Sequence, residues 1–384
     1  MGERRTDRTS GAPTATETAT AAELSALPGT AAPGTAAPGA AASEGEPANG
    51  RRPTLEDVAR RAGASRSTVS RVINGDPRVR PEAAARVRSA VAELGYVPNQ
   101  AARRLVTRRS SAVALVITQP QDRLFVDPYF DVHLRGVRRE LARHGAQPVL
   151  LFVEEQADYP RVAEFLSGGH VDGALLFSLR ADDPLPGMLE RMGLPAVLSG
   201  HTVLDPADGG GRYAFVDIDN RGGARQAVRH LAGLGRRRIG TVTGPLDQIP
   251  ALDRLAGYRD VLPDAPPELI AEGDYTLAGG AAATSALLDR CPDLDGLFVA
   301  SDLMASGALR TLRERGRAVP DDVAVVGFDD LTPIAESTTP PLTTVHQDIE
   351  EMCRELVRLL LSRTTPDTLP STILPTRLTL RSSA

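Results

Sequence analysis

TLEDVARRAGASRSTVSRVINGDPRVRPEAAARVRSAVAELG, residues 54–95, is the stretch on which the architecture turns. Its apolar residues recur at helical spacing in three short bursts, separated by glycines and capping residues. Thr54 opens the first burst, and Asp57 stands three residues on, the spacing of a capping box. Leu55, Val58, Ala59 and Ala62 share one face, and Gly63 closes the helix. Ser65 caps the second burst, whose Val69, Val72 and Ile73 face inward; Arg66, Ser67, Ser70, Arg71 and Asn74 face outward, and Gly75 ends it. The third starts at Pro81, a good first helical residue, and runs through Val87, Val91 and Leu94 to Gly95. Two short helices joined by AGAS have the helix-turn-helix form.

The charge agrees with that reading. Residues 51–110 hold 14 arginines against five acids, a net of +9, so the remainder of a chain with net charge −5 carries −14. A basic segment on an acidic body points to one local polyanion site. An outward stripe of arginine and serine suits the major groove, where arginine donates two hydrogen bonds to guanine. All 44 basic residues are arginine, which reflects codon usage rather than function.

Outward from this head the composition changes twice. Residues 1–50 are small and polar, with a near-repeat GTAAPGTAAPGAA from Gly29; such a tail buries too little surface to offset its ordering entropy. From Ser111, apolar runs (AVALVIT, PVLLFVE, GALLFS, AVLSG, YAFVDID, RIGTVTG, GLFVAS, VAVVGFDD) alternate with amphipathic helical stretches. That grammar predicts parallel sheets covered on both faces. About 270 residues exceed one such sheet, so two lobes are expected, with a ligand cleft beyond the carboxyl ends of the strands.

The segment from Thr54 to Ser110 resembles, almost without a break, the head and hinge of the lac repressor/purine repressor (LacI/GalR) family. Weaker similarity continues through GPLDQIPALDRLAGY, VASDLMASGALR, VVGFDD and PLTTVHQD, about 330 residues in all. The resemblance implies a multidomain protein: an all-α helix-turn-helix head plus an α/β two-lobed, periplasmic-binding-protein-like core with parallel sheets. It divides the chain into a tail (1–50), a head (51–98), a hinge (99–110) and a core (111–384). Within the core, lobe 1 takes about 111–217 with a return segment near 345–370, and lobe 2 takes about 218–344 with the C-terminal end.

The same resemblance implies roles. Arg66 and Ser67 choose bases, and Arg71 contacts a base; Thr54, Ser65, Thr68 and Asn74 hold phosphate or buttress the helix, with Ser70 on the same face. In the hinge PNQAARRLVTRRS, Leu105 wedges into a central base step and kinks the duplex, while Arg104 and Arg108 lie near phosphates. A two-fold dimer then reads a pseudo-palindromic operator with a central CG step. Arg80 departs from the small capping residue usual before helix three. In the core, Tyr129, Phe130, Ser178, His201, Arg254, Tyr275, Ser301 and Asp329 are the implied effector contacts. Ser301 replaces a usual asparagine, and Gly200 stands where some sugar-responsive members have aspartate. Aromatics, an arginine and a carboxylate suit a polyhydroxylated uncharged ligand, so a sugar is favoured; a purine stays open because Tyr129 and Phe130 could stack on a base.

Other classes fare worse. No G-x-S-x-G elbow, P-loop or HExxH is present, and the chain reads as a non-enzyme without cofactor. GGGRYA precedes a strand and reads as a loop; HTVLDPADGG has no metal-ligand spacing; Arg236–Arg238 read as a solvated turn. Cys291 and Cys353 form no CxxC and read as buried apolar residues of helices. With no signal-type segment or span-length apolar run, the expected place is the cytoplasm. LPTRLTLRSSA carries no heptad repeat, which favours a dimer over a tetramer. A transport binding protein needs a signal peptide and lacks a head; an architectural DNA binder would ignore small molecules.

Overall fold

The computed structural model describes residues 53–97, 110–119, 126–201, 213–362 and 371–384. The expected tail, the hinge residues Arg104, Leu105 and Arg108, and the loop from Gly209 to Arg212 lie outside them. The chain divides into two compact units at Tyr96/Val97.

The first unit holds α1 (Leu55–Ala62), α2 (Arg66–Ile73) and α3 (Pro81–Leu94). The Thr54–Asp57 capping box is formed on both sides, and Gly63 ends α1 at φ 58°, a left-handed turn that glycine adopts without a Cβ penalty. Ser65 caps α2 by accepting from the Thr68 N–H. Arg80 supplies no side-chain cap to α3. Val58, Val69 and Val87, one from each helix, are fully buried and meet in one core with Ala90 and Tyr96. Arg86 Nε donates to the Ala62 carbonyl and satisfies the end of α1.

The second unit is built on two six-stranded sheets. Sheet one has the order β11-β5-β4-β3-β1-β2, all parallel: β1 (Ala112–Ile117), β2 (Gln147–Phe152), β3 (Ala174–Phe177), β4 (Ala196–Ser199), β5 (Ala214–Ile218) and β11 (Ser371–Leu374). Sheet two has the order β12-β10-β9-β8-β6-β7: β6 (Ile239–Thr243), β7 (Ile270–Glu272), β8 (Gly296–Val299), β9 (Ala324–Asp329), β10 (Thr343–His346) and β12 (Arg377–Thr379). Only β12 in it runs antiparallel.

The two-residue period of a strand explains the layering. Val113, Leu115 and Ile117 of β1 face α4 (Pro128–Arg143) and α12 (Ile349–Leu361), where Val137, Leu141, Leu356 and Val357 wait. Ala112, Ala114 and Val116 face the other way, toward α5 (Asp158–Ser167) and α6 (Leu185–Met192). Sheet two is covered likewise by α7 (Asn220–Gly233) and α8 (Ile249–Val261) on one side, α9 (Leu277–Arg290) and α10 (Asp302–Glu314) on the other. A short α11 (Thr332–Ala335) follows β9. The core under α4 and α12 is continuous with that under α7 and α8, so one apolar cluster joins the lobes. The chain passes between the sheets three times, after β5, β10 and β11.

Both cysteines are buried and unbridged, Cys353 within α12 and Cys291 at the end of α9. The turn at Arg236–Arg238 is not simply solvated: Arg236 donates to the carbonyls of Pro320 and Asp321, and the Arg237 and Arg238 amides donate to Asp295. The Asp295 carboxylate is what anchors it, 57 residues away and invisible to local reading. No helix among the described residues is long and apolar enough to cross a membrane.

Candidate functional site

The head presents its polar face as the sequence suggests. Arg66, Ser67, Arg71 and Asn74 are exposed, and Ser70 is half-buried beside them, with its hydroxyl 3.4 Å from Asn74 Nδ2. Thr54 and Ser65 are already committed as caps: the Thr54 hydroxyl donates to Asp57 at 2.7 Å, and Ser65 Oγ lies 2.8 Å from Thr68 Oγ1 and 2.9 Å from Ser67 Oγ.

The second site is a cleft between the sheets, partly open to solvent. All eight residues named from the sequence line it. The reason is largely topological: Ser178, His201, Tyr275, Ser301 and Asp329 lie at or just after the carboxyl ends of strands, while Tyr129, Phe130 and Arg254 come from helices at the same edge. Ser178 follows β3, His201 follows β4, and Asp329 ends β9. Ser301 caps α10 by accepting from the Met304 amide at 3.2 Å, and Arg254 rises from α8. Three of these residues hold left-handed backbone, Ser178 (φ 58°), Tyr275 (φ 62°) and Asp329 (φ 113°). Such conformations cost of order 1–3 kcal/mol each and gather at ligand sites. Tyr275 lies so close over Gly244 that a Cβ there would meet its ring carbon at 2.1 Å.

Arg254 and Asp329 form the polar floor. Arg254 is buried; its Nε donates to Asn220 Oδ1 at 2.8 Å, its Nη1 donates to the Ala300 carbonyl, and its Cζ sits 3.7 Å from the centre of the Phe328 ring. Nη1 lies 3.6 Å from Asp329 Oδ1, which also accepts from Gln347 Nε2 at 2.7 Å. Burial pushes the Asp329 carboxyl up to about 7, with the Arg254 guanidinium pulling the other way. Below it, Asp302 is raised well above the ordinary carboxylate value, first by burial and then by Asp329; it accepts from the Thr344 hydroxyl and the Leu331 amide.

On the lobe 1 side Asp127 caps α4, accepting from the Tyr129 amide at 3.0 Å. The Tyr129 ring packs 4.2 Å from His133 and edge-on to Phe130 at 5.6 Å. Phe130 is buried with the core and shows the cleft only part of its ring. His201 is tied at Nδ1 to Asp217 at 2.6 Å, and its Nε2 stands 3.6 Å from Asp253 on α8. Ligand atoms of these three lie within 4.8 Å of one another. The 2.6 Å separation is that of a hydrogen bond, so His201 and Asp217 are a hydrogen-bonded pair, with Asp253 an ion-pair partner at 3.6 Å.

Sequence reading missed Asp127, Gln248, Asn220, Asp217 and Asp253. Asp127 precedes a proline and the two aromatics, the signature of a helix N-cap, and Gln248 sits inside GPLDQIPALDRLAGY. Asp217 and Asp253 meet His201 only through the fold, and no spacing announces them.

Comparison with known proteins fits both sites. A model of bacterial regulatory proteins of the lacI family matches residues 54–99, and a periplasmic binding protein-like domain matches 228–384. The HTH-type transcriptional regulator CelR of Thermobifida fusca is 48% identical over 339 residues, 87% of this chain and 98% of that one. The chain belongs to the lacI family. Like other members, it is a DNA-binding transcriptional regulator. The ribose operon repressor of Escherichia coli K12 is 34% identical over 321 residues, 82% of this lacI-family chain and 94% of its own. Among solved structures, a CelR–cellobiose complex is 46% identical with a TM-score of 0.68, covering 87% of this chain and 100% of that one. The lac repressor dimer bound to operator and an anti-inducer is 28% identical with a TM-score of 0.74, covering 87% and 99%.

Proposed function

We propose that this regulator is a repressor that binds a pseudo-palindromic operator as a homodimer, and that an uncharged sugar in the interlobe cleft sets its operator affinity. A β-linked glucose disaccharide is the first candidate, because the CelR relative was solved with cellobiose. The observation that carries the reading is the composition of the cleft. Tyr129 and Tyr275 offer aromatic faces to a sugar ring, and Arg254 with Asp329 supplies donors and acceptors for hydroxyls.

In this reading Arg66, Ser67 and Arg71 read base edges, Thr54, Ser65, Thr68 and Asn74 set register, and Leu105 opens a central CG step flanked by Arg104 and Arg108. Ligand acts by differential affinity for two interlobe geometries. The test is fluorescence anisotropy of the full chain on a palindromic duplex from the gene's own upstream region, at fixed salt. The panel holds cellobiose, other sugars and nucleobases. A shift in the operator curve with cellobiose or another neutral sugar supports the proposal. A shift with nucleobases alone replaces it with the purine reading, and tight binding that nothing shifts makes the chain an effector-insensitive DNA binder.

A further inference from the structure

The head is densely cationic, so each of its acids needs a reason. Asp57 closes the capping box of α1. Asp76 holds Arg78 through backbone and side chain. Glu82 lies in the first turn of α3, where the helix dipole favours an anion. Glu93 pairs with Arg61 and accepts from Ser89. Glu56 is different. It also lies in a first turn, that of α1, but its carboxylate reaches across the turn to α2 and meets Arg66 Nε at 3.2 Å.

Both side chains are mostly exposed, 54% for Glu56 and 75% for Arg66. An exposed pair contributes little stability, so its consequence must be sought elsewhere. Arg66 is the first residue of α2, on the same face as Ser67, Ser70 and Arg71. A guanidinium can meet guanine O6 and N7 through its two terminal nitrogens or through Nε and one of them. With the Glu56 carboxylate 3.2 Å from Nε, that edge of the guanidinium is occupied and the terminal pair is left for guanine. The same contact keeps the cation from swinging to a phosphate, a partner that carries no sequence information.

We propose that Glu56 is a positioning residue for base reading: it holds Arg66 by Nε, turns the two terminal nitrogens toward the major groove, and withholds that charge from the DNA backbone. The proposal rests on Arg66 facing a base, and the experiment separates the two ideas. Full-length wild-type chain selects a palindromic duplex from a random pool. Binding to that duplex and to all its symmetric single-base variants is then measured across a salt series, for wild type, Glu56→Ala, Glu56→Gln and Arg66→Ala.

Arg66→Ala loses discrimination at one guanine pair. Glu56→Ala loses roughly three- to tenfold of discrimination at that same pair, out of what one good bidentate contact provides. Freed to meet phosphate, Arg66 also steepens the salt dependence by about 1 per head. Glu56→Gln, which keeps an oxygen beside Nε without the charge, stays closer to wild type at the guanine than Glu56→Ala. If Arg66→Ala changes no base preference, the reading of Arg66 fails and the proposal falls with it. If Arg66→Ala behaves as stated but Glu56→Ala leaves every ratio and the salt slope unchanged, Glu56 has no positioning role. Uniform weakening on all duplexes, or loss of preference for a cytosine that Glu56 itself would accept from, also overturns it.

Discussion

Arg254 shows how one buried residue serves scaffold and ligand together. Its guanidinium is committed to Asn220, the Ala300 carbonyl, the Phe328 face and Asp329 before any sugar arrives. Arg254→Ala therefore removes the effector response and also leaves the buried Asn220 and Ala300 acceptors unmet, a loss of about 1–3 kcal/mol for each. A lower melting temperature with no sugar effect on operator binding is the expected pair of results; unchanged stability would show that the network is slack. Asp329 carries a pH signature. Its folded-state value, near 7, lies above the ordinary 3.8, so the folded chain keeps a proton that the unfolded chain gives up. The contribution of this group to stability therefore falls as pH rises from about 4 to 7. Sugar hydroxyls donate best to the ionised form, so affinity by calorimetry should rise from pH 6 to 8. Asp329→Asn should bind weakly and lose that rise, and a wild-type slope in that variant would remove Asp329 from the ligand contacts.

At the level of elements, α1 and α2 have only eight residues each and depend on their caps and on the shared core. Thr54→Ala dismantles the capping box and should cost about 1 kcal/mol. Arg80 is the opposite case: it occupies the N-cap of α3 without capping it. Arg80→Ser should add roughly 0.5–2 kcal/mol, read as greater amide-exchange protection across α3 in the full chain. No gain would mean that solvent already satisfies those amides. These caps were plain in the sequence because each is local. So were eight of the strands, which are continuous apolar runs, buried on both faces in most of them though not in the edge strand β2. The other four escaped: β7 and β12 have three residues each, TTVH of β10 buries polar side chains, and STIL of β11 is a half-exposed sheet edge. Helix α9, LAGGAAATSALLDR, hides for another reason. It packs on α10 through small residues, with a Cβ on Gly280 meeting the Met304 carbonyl at 2.3 Å and one on Gly307 meeting that of Leu277 at 2.1 Å. Close approach needs small side chains, and small side chains give little amphipathic signal.

On the scale of the molecule, the site was legible where one strand end supplies one residue, and illegible where lobes meet. The resemblance named His201, but not that its imidazole bridges them. Asp217 belongs to sheet one, and Asp253 to the helix over sheet two. Further along the rim, the Ala181 amide donates to the Asp247 carbonyl and Arg180 lies 3.5 Å from Asp247, so this edge of the cleft is fastened at two places. The hydrogen bond to Asp217 raises the His201 value above the usual 6.5, against burial, and Asp253 adds to the rise. A raised histidine contributes fully below pH 6.5, and its contribution is lost as pH climbs through the folded-state value. Burial raises Asp253 as well, so the charged link exists in the window between the two raised values. If sugar binds the closed lobes, Asp253→Asn should weaken sugar affinity about two- to fivefold near pH 6.5, the range of a partly exposed ion pair. The deficit should shrink as pH rises and wild-type His201 loses its charge. Because Asp329 changes affinity in the opposite direction over part of this range, the ratio of variant to wild type at each pH is the quantity to measure. A ratio that stays constant from pH 6.5 to 9 would assign Asp253 to the scaffold and leave closure to the sugar contacts themselves.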